Sequence, residues 1–269
     1  MKLQGTLALV TGASSGIGAS TARELGARGA RVALVARNAE RLASVAREIE
    51  RGGGWARSFV ADLADPARVR DVAARVTAEL GPVELLVNNA GAGRWHSVLE
   101  TSAEQAEQLL RVPYLAAFNL TRELLPAMLA RKRGRIVNVT SPAMRLAWPG
   151  AAGYVAARRA MEAFDACLGV ELAQSGVRCT LVVLGAVESP YWEHNPGSRE
   201  RLLSLPGIGM LSCGEAAASI VAAVDRDRRR VVTPRVFRFL FMLEAACPTL
   251  VERITASRAR AAQSPDSRS

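Results

Sequence analysis

Short apolar runs alternate with amphipathic stretches along most of the chain. Six runs read TLALVTG, RVALVAR, ARSFVADL, VELLVNNAG, GRIVNVTS and VRCTLVVLG, and each is almost continuously apolar. Strands that are buried on both faces of a parallel sheet have this character. Between the runs, residues 20–28, 39–51, 66–80 and 103–130 place apolar side chains at helical spacing. The alternation predicts an α/β protein.

The predicted strands and helices form a doubly wound parallel sheet over about residues 2–184, with a ligand outside the carboxyl ends of the strands. No repeat or long linker interrupts the pattern, so residues 1–235 are predicted to form a single domain. Within it, residues 186–212 are rich in proline and glycine and are interpreted as a mobile substrate lid. We expect an apolar helical extension over residues 236–260 and a disordered tail over 261–269.

The composition is that of an ordinary globular protein, with 49% hydrophobic and 22% charged residues. The net charge of +10 is distributed along the chain, as expected of a solvated surface, although an anionic partner is an alternative. Nucleic acid is not an expected partner, because the chain has no basic motif interleaved with aromatic residues and no finger-type spacing.

The four cysteines, Cys167, Cys179, Cys213 and Cys247, are far apart in the sequence. Because they form no C-x-x-C pair, we predict neither a metal site nor a disulfide framework. We interpret them as free, buried thiols of a cytoplasmic protein. The apolar run at residues 7–10 is too short for a signal peptide or a membrane span.

Three glycines follow the first apolar run in the segment ALVTGASSGIGAS. Gly12, Gly16 and Gly18 fall at a predicted strand-to-helix turn. Glycines at such a turn let the backbone approach a pyrophosphate, and the start of the helix supplies amide donors. The sequence NNAG at residues 88–91 closes the fourth predicted strand. Together these segments predict a dinucleotide-binding site.

The motifs resemble those of the short-chain dehydrogenase/reductase family. The T-G-x-x-x-G-x-G pattern is met by Thr11, Gly12, Gly16 and Gly18, the N-N-A-G pattern by residues 88–91, and the serine and tyrosine positions by Ser141 and Tyr154. The resemblance covers about residues 2–189 and implies a Rossmann-like fold that binds NAD(H) or NADP(H). It also implies oxidation of alcohols or reduction of carbonyls, and a homodimer or homotetramer.

The second predicted strand ends in Arg37, where an acidic residue would be needed to bind a free ribose 2′-hydroxyl. A guanidinium suits a 2′-phosphate instead, so NADP(H) is the predicted cofactor. By resemblance, Asp62 would contact the adenine, Asn89 the adenosine, and Val187 with Ser189 the carboxamide. The predicted cofactor-binding residues are Gly12, Ser14, Ser15, Gly16, Ile17, Gly18, Arg37, Asp62, Leu63, Asn89, Ala90, Gly91, Tyr154, Arg158, Val187 and Ser189.

The predicted catalytic residues are Ser141, Tyr154 and Arg158. The resemblance implies that Ser141 orients the substrate oxygen and that Tyr154 donates or accepts its proton. Arg158 lies four residues after Tyr154 in an alanine-rich, helical segment, so the two side chains share a face. A fixed cation beside a phenol stabilises the phenolate and thereby favours proton donation.

Two positions of the family's catalytic tetrad are altered. Arg158 stands at the lysine position and keeps the charge, but it lacks the compact ammonium and the ability to pass on a proton. The asparagine position holds Pro113, with Asn119 as the nearest alternative six residues later. Proline also kinks a helix and retains its own carbonyl, so the local geometry could survive.

Three functions are therefore considered. The first is an NADP(H)-dependent oxidoreductase that acts on a carbonyl or alcohol. The second is a non-redox enzyme on the same fold, namely a dehydratase, cyclase or epimerase that uses Tyr154 and Ser141. The third is a cofactor-binding protein without turnover. Consumption of NADPH distinguishes the first from the other two.

The substrate side is less defined by the sequence. The loop after the fourth predicted strand offers Arg94, Trp95 and His96 above the expected cleft, although a lone loop histidine is more often solvated. In the predicted lid, Tyr191 and Trp192 indicate a bulky apolar or aromatic small molecule, either lipophilic or carrier-bound. The same two residues could equally be packing anchors.

The apolar segment at residues 236–251 follows an arginine run and is interrupted by Arg238, Glu244 and Pro248. It is therefore not predicted to span a membrane. Three interpretations fit it: a helix over the cleft, packing within an oligomer, or peripheral contact with a membrane surface.

Overall fold

A seven-stranded parallel sheet forms the centre of the molecule in the computed structural model, which describes residues 1–91, 93–202 and 208–263. The strands in spatial order are β3 (Trp55–Val60), β2 (Arg31–Ala36), β1 (Leu7–Thr11), β4 (Leu85–Asn88), β5 (Gly134–Thr140), β6 (Val177–Leu184) and β9 (Arg230–Thr233). Two short strands, β7 (Val187–Glu188) and β8 (Leu211–Ser212), pair with each other outside this sheet. The predicted doubly wound α/β fold is confirmed.

Helices cover both faces of the sheet. They are α1 (Gly16–Ala27), α2 (Ala39–Arg51), α3 (Pro66–Leu80), α4 (Ala103–Leu110), α5 (Ala116–Ala130), α6 (Ala152–Glu171), α7 (Tyr191–His194), α8 (Cys213–Asp225), α9 (Val236–Ala246) and α10 (Pro248–Gln263). Alternate residues of β1 belong to different core clusters: Val10 packs with α1, α2 and α8, and Leu9 packs with α3 and α5. The inner strands such as β1 and β4 are therefore apolar throughout because both of their faces are buried, whereas the edge strand β3 buries only Ala56 and Phe59.

The order of the strands reverses between β1 and β4. The chain runs outward from β1 to β3, then returns to the other side of β1 to continue with β4, β5 and β6. In an open parallel sheet, such a reversal leaves a crevice at the carboxyl ends of the strands. The fold therefore places the ends of β1 and β4, with their glycine-rich segments, at this crevice.

Two sequence-based expectations about helices and strands need correction. The predicted helix over residues 103–130 is divided by a π-helical turn, Arg111–Leu115, around the buried Pro113. A proline lacks the amide hydrogen and its ring crowds the preceding turn, so the helix widens there. The strand β9 was missed, because it is a four-residue edge strand next to an arginine run and only Val232 in it is buried.

The C-terminal extension, predicted as a helix over residues 236–260, consists of two helices that separate at Cys247 and Pro248. Helix α10 continues to Gln263, so residues 261–263 of the predicted disordered tail are helical, and residues 264–269 lie outside the described residues. Phe239 is 60% exposed and Met242 65% exposed, and both lie on the outer face of α9. Contact of this face with a second subunit or a membrane surface stays a prediction.

The cysteines are free, but the expectation that all four are buried is wrong. Cys179 is buried in β6, Cys213 is partly buried, and Cys167 and Cys247 are exposed. Cys167 lies on an exposed face of α6. Among the described residues, no helix combines the length and the apolar character needed to cross a bilayer.

Candidate active site

A cleft of about 1200 Å³ runs along the carboxyl ends of the strands. Its wall includes the turn after β1, the ends of β2 and β3, the NNAG segment after β4, and the segments after β5 and β6. Every residue predicted from the sequence to bind cofactor or to act in catalysis lines this cleft. The tertiary structure thus brings the predicted residues together, while their individual roles stay predictions.

The turn between β1 and α1 requires its glycines for steric reasons. Gly12 and Gly16 have φ angles of +66° and +55°, in the left-handed region that favours glycine. A Cβ at Gly18 would overlap the carbonyl oxygen of Gly12. Because that oxygen belongs to the backbone, the overlap could be relieved only by moving the whole turn. The floor of the cleft is therefore bare backbone.

The first turn of α1 lines this part of the cleft and has no side-chain cap. Its N-cap residue, Ser15, makes no side-chain capping bond, and the first turn contains no acidic residue. By contrast, Asn38 caps α2, and complete capping boxes close the N-termini of α4 and α8. An uncapped helix start with its positive dipole end is suited to an anion such as a phosphate.

The NNAG segment is tied to the glycine turn through Thr11. The Thr11 hydroxyl accepts hydrogen bonds from the amides of Asn89 and Ala90, both at 2.9 Å. The side-chain amide of Asn89 donates to the Thr11 carbonyl at 3.0 Å. This bond of the Asn89 side-chain NH₂ group fixes the shape of the cleft, which Asn89 also lines, and its predicted contact with adenosine stays a prediction.

Two arginines stand at the β2 end of the cleft. Arg37 directly follows β2 and is exposed, and Arg41 comes from the first turn of α2. Asp62 is the only acidic residue that lines the cleft in the described parts of the chain, and it follows β3. One of its carboxylate oxygens accepts a hydrogen bond from the amide of Ala64 at 3.0 Å. This end of the cleft therefore favours an anionic group.

The predicted catalytic hydroxyls are hydrogen-bonded to each other. The Tyr154 hydroxyl donates to the Ser141 hydroxyl at 3.1 Å. Ser141 follows β5 and also accepts a bond from the amide of Ala143 at 3.3 Å, which fixes its rotamer. Tyr154 comes from the first turn of α6, and only 7% of its surface is exposed. A carbonyl oxygen placed between the two hydroxyls could accept hydrogen bonds from both.

Arg158 lies beside this pair as a buried cation. The centre of its guanidinium is 4.8 Å from the centroid of the Tyr154 ring, so it stacks on the ring. Only 8% of its surface is exposed, and its Nε has no hydrogen-bond partner among the residues described. A Cβ at Gly91 would come within 2.9 Å of an Arg158 nitrogen, so glycine makes room for the guanidinium.

A second tyrosine in the cleft, Tyr191, is unsuited to proton transfer. Its hydroxyl donates to the carbonyl of Gly93 at 2.6 Å and accepts from the indole of Trp95 at 3.2 Å. Burial raises the pKa of Tyr191 well above that of a free phenol, and the neighbouring Tyr154 adds to the rise. Tyr154 is therefore the better candidate acid.

The helix that carries Tyr154 is anchored by a buried polar network that sequence reasoning missed. Asn138 of β5 receives a bond from Asn88 at 3.0 Å and donates to Asp165 of α6 at 2.9 Å. Arg229, from the arginine run, forms an ion pair with Asp165. Burial raises the pKa of Asp165, while the bonds from Asn138 and Arg229 oppose that rise. Part of the arginine run is thus structural.

The substrate end of the cleft has an aromatic wall of Trp95, Trp148, Tyr191 and Trp192. Trp148 and Phe237 were not identified from the sequence, because nothing around either residue marks it as part of a site. Of the loop residues expected to overhang the cleft, Trp95 lines it, and Arg94 and His96 do not. The other histidine, His194, lines it instead.

The segment interpreted as a lid is attached to the loop after β4. Arg201 forms an ion pair with Glu100 at 2.7 Å, and Ser198 accepts a hydrogen bond from the amide of Trp95 at 3.0 Å. Tyr191 and Trp192 both pack against Trp95 and both line the cleft. They therefore anchor this segment by packing and also form part of the cleft wall. Residues 203–207 of this segment lie outside the described residues.

The family is shown by comparison with known proteins. A sequence model described as short chain dehydrogenase matches residues 6–199. The chain therefore belongs to the short chain dehydrogenase family. Its glycine, NNAG, serine and tyrosine motifs resemble those of this family, as the sequence indicated.

Similar proteins include enzymes of known reaction. The 2,3-dihydro-2,3-dihydroxybenzoate dehydrogenase of Bacillus subtilis is 36% identical over 187 residues, which cover 70% of this chain and 72% of the relative. The 3-oxoacyl-[acyl-carrier-protein] reductase FabG of Thermotoga maritima is 30% identical over 88% of this chain and 96% of the relative. A solved metagenomic short-chain oxidoreductase in complex with NADP is 32% identical, with a TM-score of 0.74 over 86% of this chain and 97% of that one.

Proposed function

We propose that this protein is an NADP(H)-dependent oxidoreductase that interconverts a carbonyl and an alcohol on a bulky apolar substrate. The observation that carries the proposal is the hydrogen-bonded pair Tyr154 and Ser141, at 3.1 Å, in the wall of a cleft that also contains the glycine turn. A proton donor and an orienting hydroxyl are what a carbonyl oxygen needs when a hydride adds to its carbon.

The residues present fit a nicotinamide dinucleotide. The glycine turn and the uncapped start of α1 suit a pyrophosphate, and a Cβ at Gly18 would displace the turn because it would overlap the Gly12 carbonyl oxygen. The bound cofactor would supply or accept the hydride. The terminal guanidinium nitrogens of Arg158 lie on the Gly91 side of the cleft and supply hydrogen-bond donors there.

The choice of NADP(H) over NAD(H) is supported by Arg37 and Arg41. Both line the cleft near the end of β2, where a carboxylate would be needed to accept hydrogen bonds from a free ribose 2′-hydroxyl. Two guanidinium groups can instead bind a 2′-phosphate through charge-assisted hydrogen bonds. The solved relative in complex with NADP is in keeping with this choice.

In the reductive direction, Ser141 donates a hydrogen bond to the substrate carbonyl and Tyr154 gives its proton to the same oxygen. Arg158 stabilises the resulting phenolate by charge, since it stacks on the Tyr154 ring. A guanidinium stays protonated near neutral pH, so Arg158 cannot itself return a proton to Tyr154. Reprotonation of Tyr154 is therefore expected to limit the rate.

The substrate class is supported by the far wall of the cleft. Trp95, Trp148 and Trp192 face it, together with Phe237 of α9. Such walls favour flat, apolar molecules over small polar ones. The substrate is therefore proposed to be a bulky ketone or alcohol, either free or attached to a carrier.

The test is NADPH consumption with a panel of fused-ring ketones, quinones and acyl thioesters. We expect turnover of at least one compound and a loss of about 100-fold or more in Tyr154→Phe, with NADPH binding nearly unchanged. Tyr191→Phe, which removes the second phenolic hydroxyl that lines the cleft, should lose far less. Calorimetry should give a Kd for NADPH at least about tenfold below that for NADH.

Other outcomes identify the alternatives. NADPH binding without consumption, combined with a Tyr154-dependent dehydration, cyclisation or epimerisation, would point to the non-redox enzyme. NADPH binding with no reaction on any substrate would point to a cofactor-binding protein. Equal Kd values for NADPH and NADH would contradict the choice of cofactor.

A further inference from the structure

Helix α9 presents different residues to the cleft and to solvent. Phe237 is buried and lines the substrate end of the cleft, and Leu240 and Phe241 pack against the same apolar cluster as the aromatic wall. Phe239 and Met242 are both more than half exposed. Because they are three residues apart, they lie one turn from each other on the same side of the helix. Helix α9 therefore exposes an apolar surface on the side away from the cleft.

Two arginines share this side of α9. Arg235 lies four residues before Phe239, and Arg238 lies four residues before Met242, so each arginine is one turn from an apolar side chain. Both arginines are exposed. The one acidic residue of α9, Glu244, is partly buried and forms an ion pair with an arginine of α6 at 3.9 Å. The surface formed by Arg235, Arg238, Phe239 and Met242, here named the α9 face, is thus both apolar and basic.

The next helix repeats the pattern on a smaller scale. Leu250 and Ile254 of α10 are exposed and lie one turn apart, and Arg253 is exposed beside Ile254. Val251 is buried in the same apolar cluster as the aromatic wall, which fixes how α10 is rotated. Glu252 is exposed but lies two residues from Leu250 and from Ile254, so it is on another side of α10. Two consecutive helices therefore combine exposed apolar side chains with arginine.

A second copy of this chain suits the α9 face poorly. A two-fold contact places the same face on both subunits, so it brings arginines to the interface and no carboxylate to pair with them. An anionic lipid surface offers apolar chains for Phe239 and Met242 and phosphate groups for the two arginines. The net charge of +10 favours the same partner. With eleven residues, α9 is about 16 Å long, so it can lie along a bilayer but not cross it.

We propose that the α9 face docks this protein on the surface of an anionic bilayer. The helix lies in the plane of the headgroups, with Phe239 and Met242 directed toward the acyl chains and the two arginines at the phosphates. Because Phe237 of the same helix lines the cleft, the substrate end is about one helix diameter, roughly 10 Å, from the lipid. An apolar substrate held in the bilayer is thereby concentrated next to the cleft.

The first test is sedimentation of the full chain with lipid vesicles, without NADPH or substrate. One set of vesicles contains phosphatidylcholine with about 30% phosphatidylglycerol, and the other contains phosphatidylcholine alone. We expect partition onto the anionic vesicles to be at least about tenfold stronger at low salt, and release at about 0.5 M NaCl because salt screens the arginines. No binding, or equal binding to both sets, would overturn the inference. Neither result bears on the proposed function, because the assay involves no cofactor and no turnover.

Substitution of the arginines tests whether the α9 face makes the contact. Arg235→Gln combined with Arg238→Gln should weaken partition onto the anionic vesicles by about tenfold or more, and the corresponding double substitution to lysine should retain most of it. The control is Arg47→Gln combined with Arg51→Gln on the exposed side of α2, which removes the same charge elsewhere. An equal loss in this control would assign the binding to net charge and overturn the inference.

The apolar half of the face has its own test. Phe239→Ser combined with Met242→Ser should weaken partition by about tenfold, whereas Val98→Ser combined with Leu99→Ser, at exposed apolar positions after β4, should not. All four side chains are exposed, so the variants are expected to fold. Light scattering identifies the competing partner. If the native chain ignores vesicles and the α9 variant alone becomes smaller in solution, the face is a subunit interface and the inference is wrong.

A fluorescent label locates the contact without changing the face. Cys247 follows α9 directly and is exposed, and Cys167 is exposed on α6. With the partly buried Cys213 and one of these two replaced by serine, each remaining thiol can carry a nitrobenzoxadiazole fluorophore, which brightens and shifts to the blue in lipid. We expect this change at Cys247 with the anionic vesicles and little change at Cys167. An equal response at both positions, or a response at Cys167 alone, would place the contact on another surface and overturn the inference.

Discussion

The two ends of the cleft are built in different ways. The cofactor end consists mainly of backbone: the glycine turn after β1, the first turn of α1 and the NNAG segment after β4. The substrate end consists of side chains, namely Trp95, Trp148, Trp192 and Phe237, which come from four separate segments of the chain. Only the cofactor end is specified by short, contiguous sequence motifs.

This difference separates what the chain shares with its family from what is particular to it. A backbone cradle depends on a few glycines and tolerates variation elsewhere, so it can be kept while the substrate changes. An aromatic wall depends on the size and direction of each side chain. Phe237 even lies beyond residues 6–199, which the family model matches. Substitutions at the two ends should therefore affect different constants.

The largest effect is expected at the cofactor end. Gly18→Ala should weaken NADPH binding by about 100-fold or more, because the new Cβ would overlap the Gly12 carbonyl oxygen and displace the turn. The matched control is Gly214→Ala in α8, where the nearest atom to the new Cβ is 3.9 Å away. This control should bind NADPH normally, as calorimetry would show. Normal binding by Gly18→Ala would mean that the turn does not hold the cofactor.

An intermediate effect is expected at the substrate end. Phe237→Leu keeps α9 packed but removes an aromatic face from the cleft, so the KM for a bulky ketone should rise about tenfold while the Kd for NADPH stays the same. Phe239→Leu on the exposed face of the same helix is the control and should change neither constant. A similar rise in both variants would indicate that α9 acts through something other than its contact with the cleft.

The smallest effect is expected at Arg158, between the two ends. Arg158→Lys should raise the rate of ketone reduction about fivefold, equal to about 1 kcal/mol off the barrier, because a lysine can pass on a proton and a guanidinium cannot. Steady-state kinetics with saturating NADPH measures this change. A fall of more than about tenfold would instead assign the guanidinium a specific function, such as binding an anionic group of the substrate.

Much of the fold could be predicted because its signals are local. Each buried strand requires an apolar run in the sequence, and each helix start requires a turn before it. Because the apolar runs are visible in the sequence, six of the seven strands of the main sheet were identified. The edge strand β9 was missed because burial of one residue, Val232, leaves almost no pattern. The π-helical turn at Pro113 is a change in helix width, which residue spacing alone does not specify.

By itself, the sequence determined the parallel sheet, the glycine turn and the identity of the Tyr154 and Ser141 pair, because steric demands of the backbone and the family motifs act over a few residues. Only the tertiary structure decided that the Arg158 guanidinium stacks on Tyr154, that Asp165 is paired with Arg229, and that Trp148 and Phe237 line the cleft. These contacts join side chains that are set by packing between elements, and packing is a property of the whole fold.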